Sequence, residues 1–277
     1  MIYFLTDRVF NNYTTHPEEY KPIILGKYVY AANMSWILFN NGMSNVKQTT
    51  TDEHLTSDDV LFFHYDLRET VLKSKNKSYK KVQILADRPF VDGCDLYAVY
   101  DLSLVDNKKN FYLDEPMPVG LRKCNPLWPP VVYGCIGRKS NIHVGVLDEN
   151  FKSKMLSEHN IQIQCCFSDA NIGNEHVFFH LRSDNPRMGT KHCNRIYQSW
   201  YMNIPCIHNI LGNSLHIDRS EFDFLGVNTF DELVEKILLL KSDKSLYWNM
   251  VDFAKRNENF NNSDKIKFQI QTILNHL

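Results

Sequence analysis

Between residues 180 and 198 the stretch HLRSDNPRMGTKHCNRIYQ sets His180, Arg182 and Ser183 where an apolar run ends. Lys191, Asn194, Arg195 and Gln198 follow where a helix begins. Cations at a helix start oppose the helix dipole and are unfavourable there unless an anion arrives. Phosphates favour that position, because unpaired backbone amides and the dipole both attract negative charge. The chemistry suggested is therefore a cradle for a diphosphate, and a solvated loop with scattered charge is the alternative. Asn194 and Gln198 are four residues apart and share a helix face. An amide pair there suits the hydroxyls of a ribose, unless Gln198 caps crowded neighbouring backbone.

A second candidate lies upstream, in VVYGCIGRKSN (131–141). Gly137 lets backbone approach a phosphate, Arg138 supplies paired donors, and Asn141 follows in the same turn. The spacing is not that of a G-x-G-x-x-G loop, and an ordinary strand-end turn with exposed charge would read the same way. In the first half, groups able to move a proton fall at strand ends: Asp7 after MIYFLT, His64 and Asp66 after VLFF, and Asp87 after VQILA. Any of them could serve as a general base if it met the substrate with a suitable pKa, and each is equally consistent with a structural role. Asp58 and Asp59 precede a strand and read as turn charge. No acidic D-x-D follows an apolar strand, which argues against a metal-dependent sugar transferase of the single-domain kind.

The elements that must position these groups are legible from periodicity. MIYFL reads as an opening strand. The segment KPIILGKYVYAANMSWILFNNG has helical spacing (Ile24, Leu25, Tyr28, Ala31, Ala32, Trp36) and stops at Asn41-Gly42. DDVLFFHYD, KKVQILADRP and CDLYAVYDL are short apolar runs, as expected of strands covered on both faces. Five of the ten prolines lie between Pro116 and Pro130, which reads as an extended linker. Beyond it the alternation restarts. VVYGCIG, IQIQCCF, HVFFHL and IPCIH read as strands, and LDENFKSKMLSEHN as a helix. FDELVEKILLLK is a helix opened by a Thr229/Glu232 capping box, followed by SLYWNMVDFAKRN and a closing SDKIKFQIQTILNHL. The fold class implied is α/β, two halves with mostly parallel sheets, and a ligand is expected in a cleft between them at the carboxyl ends of the strands.

Composition narrows the field. The chain has 277 residues, a net charge of -1 and 43% hydrophobic residues, which is enough to bury a core and too neutral to attract nucleic acid. The seven cysteines form no C-x-x-C pair and read as reduced, buried thiols. The start is too short and too soon polar for a signal peptide, and no apolar window is long enough to span a membrane. A cytoplasmic protein is expected.

The stretch from Lys191 to Asn257 resembles the C-terminal half of GT-B-type nucleotide-sugar glycosyltransferases, and is most similar to bacterial and large-virus members. The residues that carry the likeness are Lys191, Asn194-Arg195, Pro205, Arg219-Ser220-Glu221-Phe222-Asp223 and Leu246-Tyr247-x-x-Met250. Upstream, ADRP (86–89), PMPVGLRKCNP (116–126) and VVYGCIGRKSN are similar to that group's mid-chain segments, so the likeness covers roughly residues 82 to 257. It implies two Rossmann-like domains facing a cleft: an acceptor domain over 1–125, a donor domain over 126–260, and a C-terminal helix over 261–277 that packs back on the first. It further implies transfer of a pentose or hexose, such as xylose or glucose, from a nucleoside-diphosphate sugar, UDP-linked by default, to a hydroxyl of a glycan or glycoprotein. No essential metal or separate cofactor is implied, and no nucleic-acid partner. Carried over by position, Gly137, Arg138 and Lys191 meet the diphosphate. Two positions depart from the pattern: Gln198 stands where many relatives have a ribose-binding glutamate, and Asn203 where a glycine is usual. A non-catalytic nucleotide- or glycan-binding module on the same scaffold, or a nucleotide-sugar epimerase, are the alternatives. The lysine- and asparagine-leaning composition fits a viral or phage member acting in host cytoplasm.

Overall fold

The computed structural model describes residues 1–7, 29–86, 88–116, 121–136, 139–166, 174–182, 194–210, 220–260 and 263–277, with backbone alone at 29, 30, 136, 166 and 194. The chain divides into two compact units, Met1–Val119 with Asn261–Leu277, and Gly120–Phe260.

In the first unit six strands form one sheet: β1 (Ile2–Leu5), β2 (Val46–Thr49), β3 (Val60–His64), β4 (Lys80–Ile84), β5 (Leu96–Val99) and β6 (Asn110–Tyr112). Their spatial order is β2-β1-β3-β4-β5-β6, and every pairing is parallel. Parallel strands need crossovers that cover both faces, so the strands are apolar on both sides. Phe4, Phe62, Val82 and Ile84 pack on one face with Met34 and Leu38 of helix α1 (Met34–Asn40). Leu5, Leu61, Phe63 and Val99 pack on the other with Val71 of helix α2 (Arg68–Lys73). A π-helical turn, Val29–Asn33, leads into α1, so the apolar spacing read as one long helix contains a break in backbone geometry. Its residues 21–28 lie outside the described residues.

The second unit contains β7 (Val132–Ile136), β8 (Gln162–Cys166), β9 (Val177–His180), β10 (Cys206–Asn209) and β11 (Leu225–Val227), in the order β11-β10-β9-β7-β8, again all parallel. Its helices are α3 (Val144–Leu147), α4 (Glu149–His159), α5 (Asn194–Met202), α6 (Phe230–Ser242) and α7 (Lys244–Arg256). Tyr133, Cys135, Val177, Phe179 and Ile207 pack beneath Leu233, Ile237 and Leu240 of α6 and Tyr247, Met250 and Val251 of α7. A final helix, α8 (Ser263–Leu274), belongs to the first unit and buries Ile266, Ile270 and Ile273 in its core.

Counted within each unit, both sheets run second, first, third, fourth, fifth strand. This is a doubly wound order whose direction of travel reverses between the first and third strands. Two Rossmann-like domains follow from it. Residues 121–130 of the proline-rich stretch form no helix or strand, and they are fastened down. Asp114 and Glu115 are buried, Cys124 N–H donates to Met202 O at 2.9 Å, and Leu127 N–H to Tyr247 Oη at 3.1 Å.

The capping box at α6 forms with one change. Glu232 N–H donates to Thr229 Oγ1 at 3.2 Å, while the Glu232 carboxylate accepts from the amide of Asn228, one residue before the cap. Thr229→Ala is expected to lose about 1 kcal/mol of stability, the scale of an N-cap. Chemical denaturation checks this, and an unchanged midpoint would mean that the cap is solvated at no net cost.

Candidate functional site

In an open doubly wound sheet, ligands bind outside the carboxyl ends of the strands, where the order reverses. In the second unit that place is the end of β7 and β9. Gly137, Arg138, Ser183 and Lys191 lie outside the described residues. Asn141 is half-buried in a short 3-10 turn, Lys139–Asn141, that follows β7. Beyond it, Ile142 bridges Arg182 in antiparallel fashion, and His143 N–H donates to Leu181 O at 3.0 Å. The two strand-end turns are thereby fastened to each other. Gly145 allows α3 to press against the start of α6: a Cβ at this position would sit 2.9 Å from the Phe230 ring.

Side chains alternate along a strand. Phe179 and Ile207 enter the core under α6 and α7, so His180 and His208 point to the opposite face, where α5 packs against β10. The two histidines are register partners on β9 and β10. Their rings stack with centroids 5.5 Å apart and planes at 28°. Both are fully buried. His208 Nδ1 lies 2.8 Å from Asn209 O, which assigns its proton to Nδ1 and leaves Nε2 as a bare acceptor. Among the described residues nothing hydrogen-bonds His208 Nε2 or His180 Nδ1. Burial, followed by the charge of Arg182, the neighbouring His208 and Arg195, holds the His180 pKa well below its usual value. Burial brings His208 down to about 4 against the opposing pull of the Asn209 carbonyl, with Arg182 and Arg195 pushing the same way as burial. Two neutral imidazoles therefore lie within the electrostatic reach of two guanidiniums. Asn209 ties the pair to the strand-end turn, its Oδ1 accepting from Arg182 N–H at 2.6 Å.

Helix α5 supplies the rest. Asn194 is its first residue. Arg195 Nη1 donates to Gln198 Oε1 at 2.6 Å, so the glutamine expected to cap backbone or face a ribose is engaged by its own helix neighbour. Gln198 is 2% exposed. Asn203 closes the helix in the left-handed region, at φ 63°. Its backbone conformation is one that favours glycine and is tolerated by asparagine, which accounts for asparagine at this turn.

In the first unit the corresponding place is the end of β1 and β3, beside β4. Asp7 is exposed just past β1, and Asp87 lies outside the described residues. His64 ends β3, is buried, and accepts from Asp66 N–H at Nδ1 (3.3 Å). Burial lowers it to about 4, winning over the nearby Asp66 carboxylate, and Arg88 adds to the lowering. The 3.5 Å contact from His64 Nδ1 to Asp66 Oδ2 is therefore not an ion pair near neutral pH. Arg88 Nη2 holds the other carboxylate oxygen of Asp66 at 3.1 Å. Asp66 keeps 34% of its side chain exposed, so its carboxylate, rather than the His64 ring, reaches the surface with a fixed orientation.

Sequence reasoning missed Arg88, His208 and Asn209. Arg88 stands in the ADRP run, and the pair His208-Asn209 ends the strand IPCIHN, so a rule that inspects every polar residue closing an apolar run would have found all three.

No protein-family model matches the chain, and no curated protein sequence does. Solved structures do match in backbone. Anabaena Alr3699/HepE in complex with UDP-glucose is 10% identical with a TM-score of 0.62, covering 100% of this chain and 99% of that one. The lipopolysaccharide outer core galactosyltransferase WaaB is 11% identical with a TM-score of 0.60, covering 100% and 99%. AviGT4, a glycosyltransferase involved in avilamycin A biosynthesis, is 9% identical with a TM-score of 0.59, covering 100% and 98%. S. aureus TarM is 12% identical with a TM-score of 0.54, and this chain spans 59% of its length. The fold is that of the two-domain GT-B glycosyltransferases. Among the described residues no helix is long and apolar enough to cross a membrane.

Proposed function

We propose that the protein is a glycosyltransferase that takes a sugar, a hexose or pentose, from a nucleoside-diphosphate donor, UDP-linked by default. The acceptor is a hydroxyl of a glycan or glycoprotein, and no essential metal takes part. The observation that carries this reading is the convergence of Arg182 and Arg195 on a buried, neutral histidine pair at the carboxyl ends of β9 and β10, next to the reversal point of the second sheet. Negative charge grows on the departing nucleoside diphosphate as the glycosidic bond breaks, and fixed cations there stabilise the transition state more than the ground state. Arg138 and Lys191, carried over from the family likeness, extend the same role. In the first unit Asp66, oriented by Arg88, is the favoured group for taking the acceptor proton, with Asp7 and Asp87 as further candidates.

The test is a thermal-shift screen against nucleotide sugars, since a ligand of the folded state raises the melting point by mass action. A transfer or donor-hydrolysis assay on the donor that binds then follows. Arg182→Ala and Arg138→Ala are each expected to lower turnover on the order of 10²-fold, the scale for removing one electrostatic stabiliser. Normal turnover in both would defeat the assignment. The replacement of the relatives' glutamate by Gln198 keeps a second reading in play, a donor-binding module without chemistry. Tight donor binding with no turnover of any sugar would select it.

A further inference from the structure

We infer that Asn209 is a positioning residue for the candidate donor site: its side-chain oxygen takes the place of a ladder carbonyl and fixes the main chain of Arg182 where β9 leaves β10. This rests on the donor-binding reading above. In a parallel ladder every second residue of one strand donates to every second carbonyl of its neighbour. Phe178 N–H donates to Pro205 O at 2.9 Å, and His180 pairs with His208 in register. Carried on by two-residue steps, the alternation would give the Arg182 N–H to the Asn209 carbonyl. It does not. The Asn209 carbonyl faces His208 Nδ1 at 2.8 Å, and the Arg182 N–H goes to Asn209 Oδ1 at 2.6 Å.

The exchange falls where the strands part. β10 stays with β11, Ile210 N–H donating to Val227 O at 3.1 Å. β9 turns instead toward the segment after β7, where Ile142 bridges Arg182 and His143 N–H donates to Leu181 O. A main-chain carbonyl follows its own strand, whereas a side-chain amide reaches across the gap as it opens. Asn209 is 3% exposed, so cutting it back takes from the Arg182 amide an acceptor that bulk water does not replace. Arg182 is thereby held from two sides, by Asn209 and by Ile142. A cation stabilises a departing diphosphate best when it is fixed before the negative charge develops.

The experiment is a double-mutant cycle on the full chain, with UDP as the probe in calorimetry: wild type, Asn209→Ala, Arg182→Ala and the double variant. Asn209→Ala is expected to weaken UDP binding about fivefold to tenfold, the scale of one buried hydrogen bond, and Arg182→Ala about tenfold to hundredfold. A residue that acts through Arg182 adds nothing once Arg182 is gone, so the double variant is expected to bind like Arg182→Ala alone. Losses that multiply overturn the inference, and so does UDP binding unchanged in Asn209→Ala. Amide hydrogen exchange tests the tie without any ligand. The Arg182 amide is expected to exchange about tenfold faster in Asn209→Ala, and to keep its protection in Asn209→Asp, which retains the oxygen. If Asn209→Ala does not fold, Asn209→Asp carries the test, and an Arg182 amide that exchanges freely in it overturns the inference. If the exchange results stand and the wild-type chain binds no UDP, it is the donor reading that fails, and the positioning role goes with it.

Discussion

Asp114→Ala is expected to lower the stability of the first unit by about 3 kcal/mol, the range for breaking a buried charge pair from one side. The carboxylate is fully buried and serves three donors. Tyr112 Oη reaches Oδ1 at 2.8 Å, while Gln269 Nε2 and Lys265 Nζ reach Oδ2 at 2.9 and 2.7 Å. The backbone amide of Asp114 completes the set by donating to Gln269 Oε1 at 2.9 Å. Two of these partners sit on α8, so this one side chain fastens the last helix to the strand-end segment after β6. Lys265 is 38% exposed, so water recovers part of its loss and holds the figure near the low end. Urea denaturation gives the total. Hydrogen exchange locates it, with amides of α8 losing protection before those of β3 and β4. A change below about 0.5 kcal/mol would show that the apolar face of Ile266, Ile270 and Ile273 docks the helix without help from the carboxylate.

Acid is expected to destabilise both units well before ordinary carboxylates titrate. An unfolded imidazole titrates near 6.5, whereas in the folded chain burial lowers His64 and His208 to about 4 and holds His180 well below its usual value. Above pH 6.5 the folded and unfolded forms are both neutral at these sites. Between 6.5 and 4 the unfolded chain binds protons that the folded chain refuses, so stability falls as pH falls. The slope is about 1.4 kcal/mol per pH unit for each histidine, or about 2 kcal/mol apiece by pH 5. The first unit carries this cost through His64, and the second through His180 and His208 together. His176 adds in the same sense, because burial lowers it too. Urea midpoints measured at pH 7 and pH 5 test this, with His208→Asn expected to flatten the dependence of the second unit by about one proton. Equal midpoints at the two pH values would sink it.

Much of the fold was legible in the residue pattern. The runs around VLFFH, KVQI, LYAV, VYGCI and VFFH are apolar on consecutive positions because both faces of a parallel strand are covered, and each became a strand. The helix after Thr229 announced itself by its capping box, whereas the Asp243 cap of the next helix emerged only in the structure. By contrast, β2, β6, β11 and α2 were not read. They are three to six residues long, and VKQT carries no apolar run; its pairing with β1 supplies what its own residues do not.

The candidate site divided along the same line. Residue type and place in the chain sufficed to put arginine and histidine at strand ends, because an apolar run that closes on a polar residue says where the strand leaves the core. Pairing did not follow from the chain order. His180 and His208 are far apart in sequence and touch only because β9 and β10 are neighbours in register. Arg88 reaches Asp66 for the same reason, since β3 and β4 end side by side. The orientation of the Gln198 amide was beyond any pattern, for it depends on one contact with Arg195 across a helix turn. Local free energies, in the form of burial periodicity and capping, are written residue by residue. Which polar groups meet, and which imidazoles are kept neutral, is decided by strand order and by the low-dielectric interior that order creates.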